Sequence, residues 1–183
     1  VFDGNTFSPQ SFLKDVLNLE MEDYVGCVSR MDNPFYTRVL LDVTDNWRRK
    51  DDYLNLPLHD FYDVIKKSLK DGYTVSIGGD NSEAGMDGAF DTGIIPEWDI
   101  PAKYINQASR EFRITNKTTG DDHGLHIVGY TRKGGQDWFL IKDSNRSSRL
   151  GEFKGYYFWS GDYIKLKMLS FTIHKDRLEG LLN

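Results

Sequence analysis

The chain has 183 residues and a mass of 21.1 kDa, a size for one domain or for two small lobes around a shared core. Aromatic residues make up 14% and charged residues 28%, which is at odds with a disordered chain, and with a mean hydropathy of −0.55 no apolar run approaches the roughly 18 residues that span a bilayer. The net charge of −5 and the single cysteine, Cys27, argue against a dedicated nucleic-acid binder, which carries a basic surplus, and exclude an internal disulfide or a multi-cysteine zinc site.

Taken in chain order, Ser8-Pro9 opens a helix with apolar residues at Phe12, Leu13, Val16 and Leu17, Ser8 serving as cap and Pro9 suiting the first turn. Tyr24 to Val43 reads as short strands interrupted at Asn33-Pro34, and Asp45 to Asp52 as a polar loop. A second helix follows Leu56-Pro57-Leu58, with Phe61, Val64, Ile65 and Leu69 on one face, and Asp71-Gly72 stops it. Tyr73 to Ile77 alternates as a strand ending at Gly78-Gly79. Asn81 to Gly120 is irregular, with a short helix near Ala102 to Phe112. Strands are then expected at His123–Tyr130, Trp138–Lys142, Gly155–Trp159 and Lys165–Ile173. Helices early and antiparallel strands late make an α+β pattern.

The densest polar cluster is Asp121-Asp122-His123-Gly124-Leu125-His126, at the start of an apolar strand. Its composition allows a metal site built from Asp122, His123 and His126, but strand alternation sends His123 and His126 to opposite faces. The plainer reading makes the aspartates solvated loop residues and one histidine a hydrogen-bonded strand residue. The next strand ends in Lys142-Asp143-Ser144-Asn145. A five-residue hairpin loop centred on Lys133 would bring His123 opposite Asp143, where a carboxylate orients an imidazole. A two-residue turn at Gly134-Gly135 would pair His126 with Asp143 instead, and the sequence leaves this register open.

Three segments carry a family resemblance: His123-Gly124-Leu125-His126-Ile127-Val128-Gly129-Tyr130, Trp138-Phe139-Leu140-Ile141-Lys142-Asp143-Ser144, and Gly151-Glu152-Phe153-Lys154-Gly155-Tyr156-Tyr157. Together they resemble the C-terminal half of papain-like cysteine peptidases, and Gly72 to Ile77 is similar to the family's helix-to-strand passage. Ser8 to Phe12, Asn33-Pro34-Phe35-Tyr36, Asp45-Asn46-Trp47, Lys70 to Tyr73 and Ile173-His174-Lys175-Asp176 look most like the bleomycin hydrolase and aminopeptidase C branch. The resemblance implies a papain-like α+β fold, a C-terminal barrel-like antiparallel lobe with flanking helices. Residues 1–183 would be one C-terminal lobe, with a helical and extended lead-in over 1–70 and a β-rich, histidine-bearing part over 71–183.

The resemblance further implies that His123 is the catalytic imidazole and that Asp143 stands in place of an orienting Asn. Asn145 stands where the family has a Trp that shields this hydrogen bond, so a wetter site is expected. Gly78 and Gly79 would lie by the wall of a peptide-binding groove, beside Asp122; their plainer reading is a strand end or bulge. Cys27 lies in an apolar strand-like run, without the helix N-terminus that lowers a thiol pKa, and reads as a small buried hydrophobe. The implied nucleophile therefore lies on an N-terminal portion outside these residues. The expected activity is that of a cysteine peptidase, an aminopeptidase on short peptides. A peptide substrate and that N-terminal portion are its partners, and a homo-oligomer is compatible with the sequence. No cofactor, nucleic acid or membrane is implied, and the cytoplasm is slightly favoured over periplasm or secretion. Two other readings stand beside it: an inactive relative that binds peptides or protein partners, and a metal-dependent hydrolase using Asp122, His123 and His126.

Overall fold

The computed structural model describes residues 1–181. Ten strands form one sheet: β1 (Tyr24–Val28), β2 (Arg38–Val39), β3 (Tyr53–Asn55), β4 (Val75–Gly79), β5 (Met86–Asp87), β6 (Thr92–Gly93), β7 (His123–Lys133), β8 (Gln136–Lys142), β9 (Tyr156–Ser160) and β10 (Met168–His174). Their order is β2-β3-β1-β10-β4-β7-β8-β9-β6-β5, and only β1–β3 and β6–β9 run parallel. The helices are α1 (Pro9–Ser11), which continues as a π-helical turn to Val16, α2 (Leu58–Lys70), α3 (Gln107–Thr115) and α4 (Gly161–Lys167). The expected α+β class is the class found.

The core lies between one face of the sheet and helices α2 and α4. Phe61, Tyr62 and Ile65 of α2 and Tyr163 and Ile164 of α4 pack on Val75, Ile77, Leu125, Ile127, Phe139, Ile141 and Trp159. The helical spacing read from Phe61, Val64 and Ile65 places all three in the interior. Gly72 ends α2 in the left-handed region, φ 87°. The Tyr73 N–H bonds Ser68 O at 2.9 Å and the Gly72 N–H bonds Leu69 O at 3.3 Å, a Schellman closure that satisfies two terminal carbonyls.

Three expected elements differ. The strand expected at Tyr73–Ile77 lies two residues later and runs through both glycines. The short helix is α3, displaced C-terminally because Asn106 caps it, accepting the N–H groups of Ala108 and Ser109. The strand expected at Lys165–Ile173 is helix α4 up to Lys167 and strand only from Met168. Ser160 starts that helix by accepting the Tyr163 N–H, and long-range partners satisfy its last carbonyls. Arg110, fully buried, donates to Lys165 O at 2.7 Å, Leu169 O at 3.2 Å and Ser29 O at 3.0 Å. Burial pulls its pKa below the usual arginine range, and the nearby Glu111 carboxylate offsets this only in part. The Asp80 N–H takes Lys167 O at 3.0 Å.

A second polar cluster ties α2 to the β7–β8 hairpin. Asp137 accepts Tyr62 Oη at 2.8 Å and Tyr130 Oη at 2.7 Å, and it pairs with Lys66 Nζ at 2.8 Å. Burial works against this carboxylate, but the bonds from Lys66, Tyr130 and Tyr62 outweigh it and hold its pKa at about 2.

Two predictions follow from these clusters. Arg110→Met should destabilise the chain by about 3 kcal/mol or more in chemical denaturation, because three buried carbonyls lose their donor at once; a loss below about 1 kcal/mol would contradict the account. The Asp137 pKa is depressed on folding, so its stabilisation is fully present above the unfolded value of 3.8 and lost as pH falls through about 2. Asp137→Asn should therefore be less stable than the parent at neutral pH, with the gap closing below the unfolded pKa. An unchanged gap across an acid titration of the melting temperature would contradict this.

Candidate active site

His123 opens β7 opposite Gly79 of β4. It shares the inward-facing row of Leu125 and Ile127, both buried, but at the end of the strand its side chain keeps 26% exposure. Its Nε2 lies 2.8 Å from Asp143 Oδ1, and the Asp143 side chain has no exposed surface. Oδ1 also accepts the Asn145 N–H at 2.9 Å, whereas the buried Oδ2 has no hydrogen-bond partner among the described residues. A carboxylate at Nε2 assigns the proton there. This leaves Nδ1, which makes no side-chain hydrogen bond among the described residues, as the unengaged ring nitrogen.

The hairpin that joins these residues takes the tight turn, with Lys133 paired to Gln136 and Gly134 and Gly135 at φ 62° and 79°. The five-residue loop is not formed. Nor does the tight turn pair His126 with Asp143, because a bulge between Ile127 and Gly129 shifts the ladder so that His126 faces Lys142. His123 meets Asp143 just past the ladder's end, where both side chains lie on the same face.

Asp143 is held from the other side. Its N–H donates to Gly155 O at 2.9 Å, and Ser148 Oγ donates to Asp143 O at 3.1 Å and Asn145 O at 2.7 Å. Asp91, itself buried, accepts the N–H groups of Glu152 and Phe153 at 2.7 and 2.9 Å and so pins the loop after β8. Gly151 is required there because a Cβ would run into the Asp91 carboxylate. The Asn145 side chain accepts the Ser147 N–H and caps the turn Arg146–Arg149. No indole shields the pair, yet the expected wetness is not found at Asp143, since this packed loop covers it.

The segment leading into His123 has its own anchor, which the sequence reading missed. Asp80 Oδ2 accepts the Gly120 N–H at 3.1 Å, and buried Lys167 bridges Asp80, Glu83 and Thr118 O at 3.3, 2.9 and 2.9 Å. The detectable signal was an acid directly after the Gly78-Gly79 strand, with a lysine inside an otherwise apolar run.

The remaining candidates fall as follows. Asp122 bonds Gly79 O through its N–H and accepts the Asn81 N–H on Oδ1 at 2.8 Å, which ties two loops together. Gly79 admits no Cβ, which would come within 2.8 Å of Met168 Cα and closer still to Lys167 O. Gly78 has a looser fit beside Ser170 and Asp121. The His126 side chain lies on the outward face, away from His123, and among the described residues no three His, Cys, Asp or Glu side chains converge as a metal site. Cys27 is fully buried in β1, and burial pushes its thiol pKa up, which suits a packing residue rather than a nucleophile. No helix among the described residues is long and apolar enough to cross a membrane.

No curated protein matches the sequence. Among solved structures, the chain is similar to the crystal structure of PepW from Lactobacillus rhamnosis, with a TM-score of 0.73 at 20% identity, covering 97% of this chain. The chain spans 41% of the length of that structure. The likeness shows a shared fold, and the papain-like fold expected from the His123 and Asp143 strands is the one found. The sequence profile of the Peptidase C1-like family matches residues 3–181, and the chain belongs to that family.

Proposed function

We propose that this chain is the histidine-bearing lobe of a cysteine peptidase, an aminopeptidase acting on short peptides. The observation that carries the reading is the 2.8 Å contact of His123 Nε2 with a fully buried Asp143 carboxylate, which leaves Nδ1 available. The nucleophile is a cysteine of an N-terminal portion of the same protein, since Cys27 is sealed in the core. In this mechanism Nδ1 takes the thiol proton and the thiolate attacks the peptide carbonyl. The imidazolium then returns the proton to the leaving amine, and water, deprotonated by the same nitrogen, releases the acid and regenerates the thiol. Asp143 holds the ring orientation and stabilises the imidazolium between these steps.

A second reading, a non-catalytic relative that binds peptides, draws on the unpartnered Asp143 Oδ2. No donor reaches that buried oxygen, so the pair carries an unmet desolvation cost.

The full-length protein decides between them. His123→Ala should lower thiol-dependent hydrolysis of aminoacyl-coumarin substrates by about 10³-fold or more, with unchanged circular dichroism. Asp143→Asn keeps an acceptor for the imidazole N–H, so activity should stay within about tenfold of the parent, while Asp143→Ala falls well below both. Turnover that survives His123→Ala would sink the peptidase reading, and peptide binding without any turnover in the parent would favour the second.

A further inference from the structure

The outward face of the sheet carries an arrangement that the His123–Asp143 pair does not use. Register places Ser76 opposite His126, His126 opposite Lys142, and Lys142 opposite Tyr156. Four adjacent strands thus present one continuous row: hydroxyl, imidazole, ammonium, phenol. Two more cations, Arg149 and Lys154, reach the same place from the loop after β8. All six line one open cavity of about 580 Å³, within the size range of small-ligand sites.

Three features set this cavity apart from an ordinary solvated surface. Its cations lack counter-charges: among the described residues, Lys142 and Arg149 make no ion pair and Lys154 Nζ bonds only the carbonyls of Arg149 and Gly151. The one carboxylate in the lining, Asp143, is committed to His123. His126 stands directly opposite Lys142 in the ladder, so a protonated imidazole there would face a like charge, and an anion between the two would relieve it. This concentration of positive charge occurs in a chain of net charge −5. Burial first, and then the Lys142 charge, hold the His126 pKa below the usual imidazole value.

We propose that this cavity is a carboxylate-binding groove that holds an acidic side chain or the C-terminal carboxylate of a peptide. Lys142, Arg149 and Lys154 supply the charge, and Ser76 and Tyr156 supply neutral hydrogen-bond donors. The assignment to peptides, rather than to free anions, rests on the peptidase reading. Gly124, next to His123, and Asp143, its partner, also line the cavity, so a chain lying at His123 is within reach of it.

His126 is a built-in reporter. The chain has four histidines, and His59 and His174 lie away from the cavity as internal references. In an NMR titration of the full-length protein, Ala-Ala-Glu should raise the His126 pKa by roughly half a unit or more and leave His59 and His174 in place. The fully neutral analogue, Ala-Ala-Gln amide, should not. Analogues that keep only the side-chain carboxylate or only the C-terminal carboxylate identify which of the two sources binds. Lys142→Ala, at an exposed position, should raise the His126 pKa in the free chain and weaken Ala-Ala-Glu binding by about tenfold. The shift should shrink with added salt.

Equal responses to charged and neutral peptides would overturn the groove. A response to inorganic phosphate but not to Ala-Ala-Glu would overturn its assignment to peptide carboxylates. Because the readout needs no turnover, it stays separate from the peptidase reading, which stands or falls on His123→Ala.

Discussion

Two cations are buried where α4 passes into β10, and the placement of His123 depends on how they are satisfied. A buried charge is tolerated only when its donors find acceptors. Lys167 finds two carboxylates and a carbonyl, and Arg110 finds three carbonyls. The geometry of this junction is therefore rigidly specified. Asp80 connects it to the site: its side chain meets Lys167 and the Gly120 N–H, and its backbone N–H meets Lys167 O. The chain entering β7 is gripped three residues before His123. Gly79 lets β4 approach the junction closely enough to receive His123 opposite it.

The Asp143 side is organised on the same plan with a different acid. Asp91 stands in the left-handed region at φ 50° and spends one carboxylate oxygen on two loop N–H groups. Its backbone carbonyl receives the Phe158 N–H of β9 at 2.7 Å. The loop after β8 is thereby closed over Asp143, whose side chain has no exposed surface. Desolvation strengthens its hydrogen bond to His123, and the same desolvation raises the cost of the orphan Oδ2.

Much of this was legible in the sequence where periodicity and local chemistry agree. Helix α2 could be read from Phe61, Val64 and Ile65 with a glycine stop, and the His123 and Asp143 strands from their apolar runs. The rest was hidden because its causes are non-local. Lys165 to Ile173 alternates polar and apolar residues like a strand, but Lys167 faces inward to two distant acids, and Arg110 and Asp80 satisfy the helix-end carbonyls. Nothing in the sequence marks what Asp80 or Asp91 would bond, because only the folded chain brings their N–H partners to them. The hairpin register failed to resolve for a related reason: the turn residues specify the tight turn, but the bulge beyond it is a tertiary feature.

That bulge explains how a single strand serves two ends of the molecule. On the site side of β7, His123, Leu125 and Ile127 face inward. On the hairpin side it is Tyr130 that packs against Phe139, ring centroids 5.4 Å apart, and bonds Asp137. Strict alternation would have turned Tyr130 outward if Ile127 faced in, because the side-chain period of a strand is two. One extra residue between the two ladders changes the parity, so the Asp137 clamp and the His123–Asp143 pair can both use the inner face. The outer face inherits the complementary set at the site end, His126 beside Lys142. The His123–Asp143 pair and the cations around Lys142 thus lie on opposite faces of the same end of the sheet.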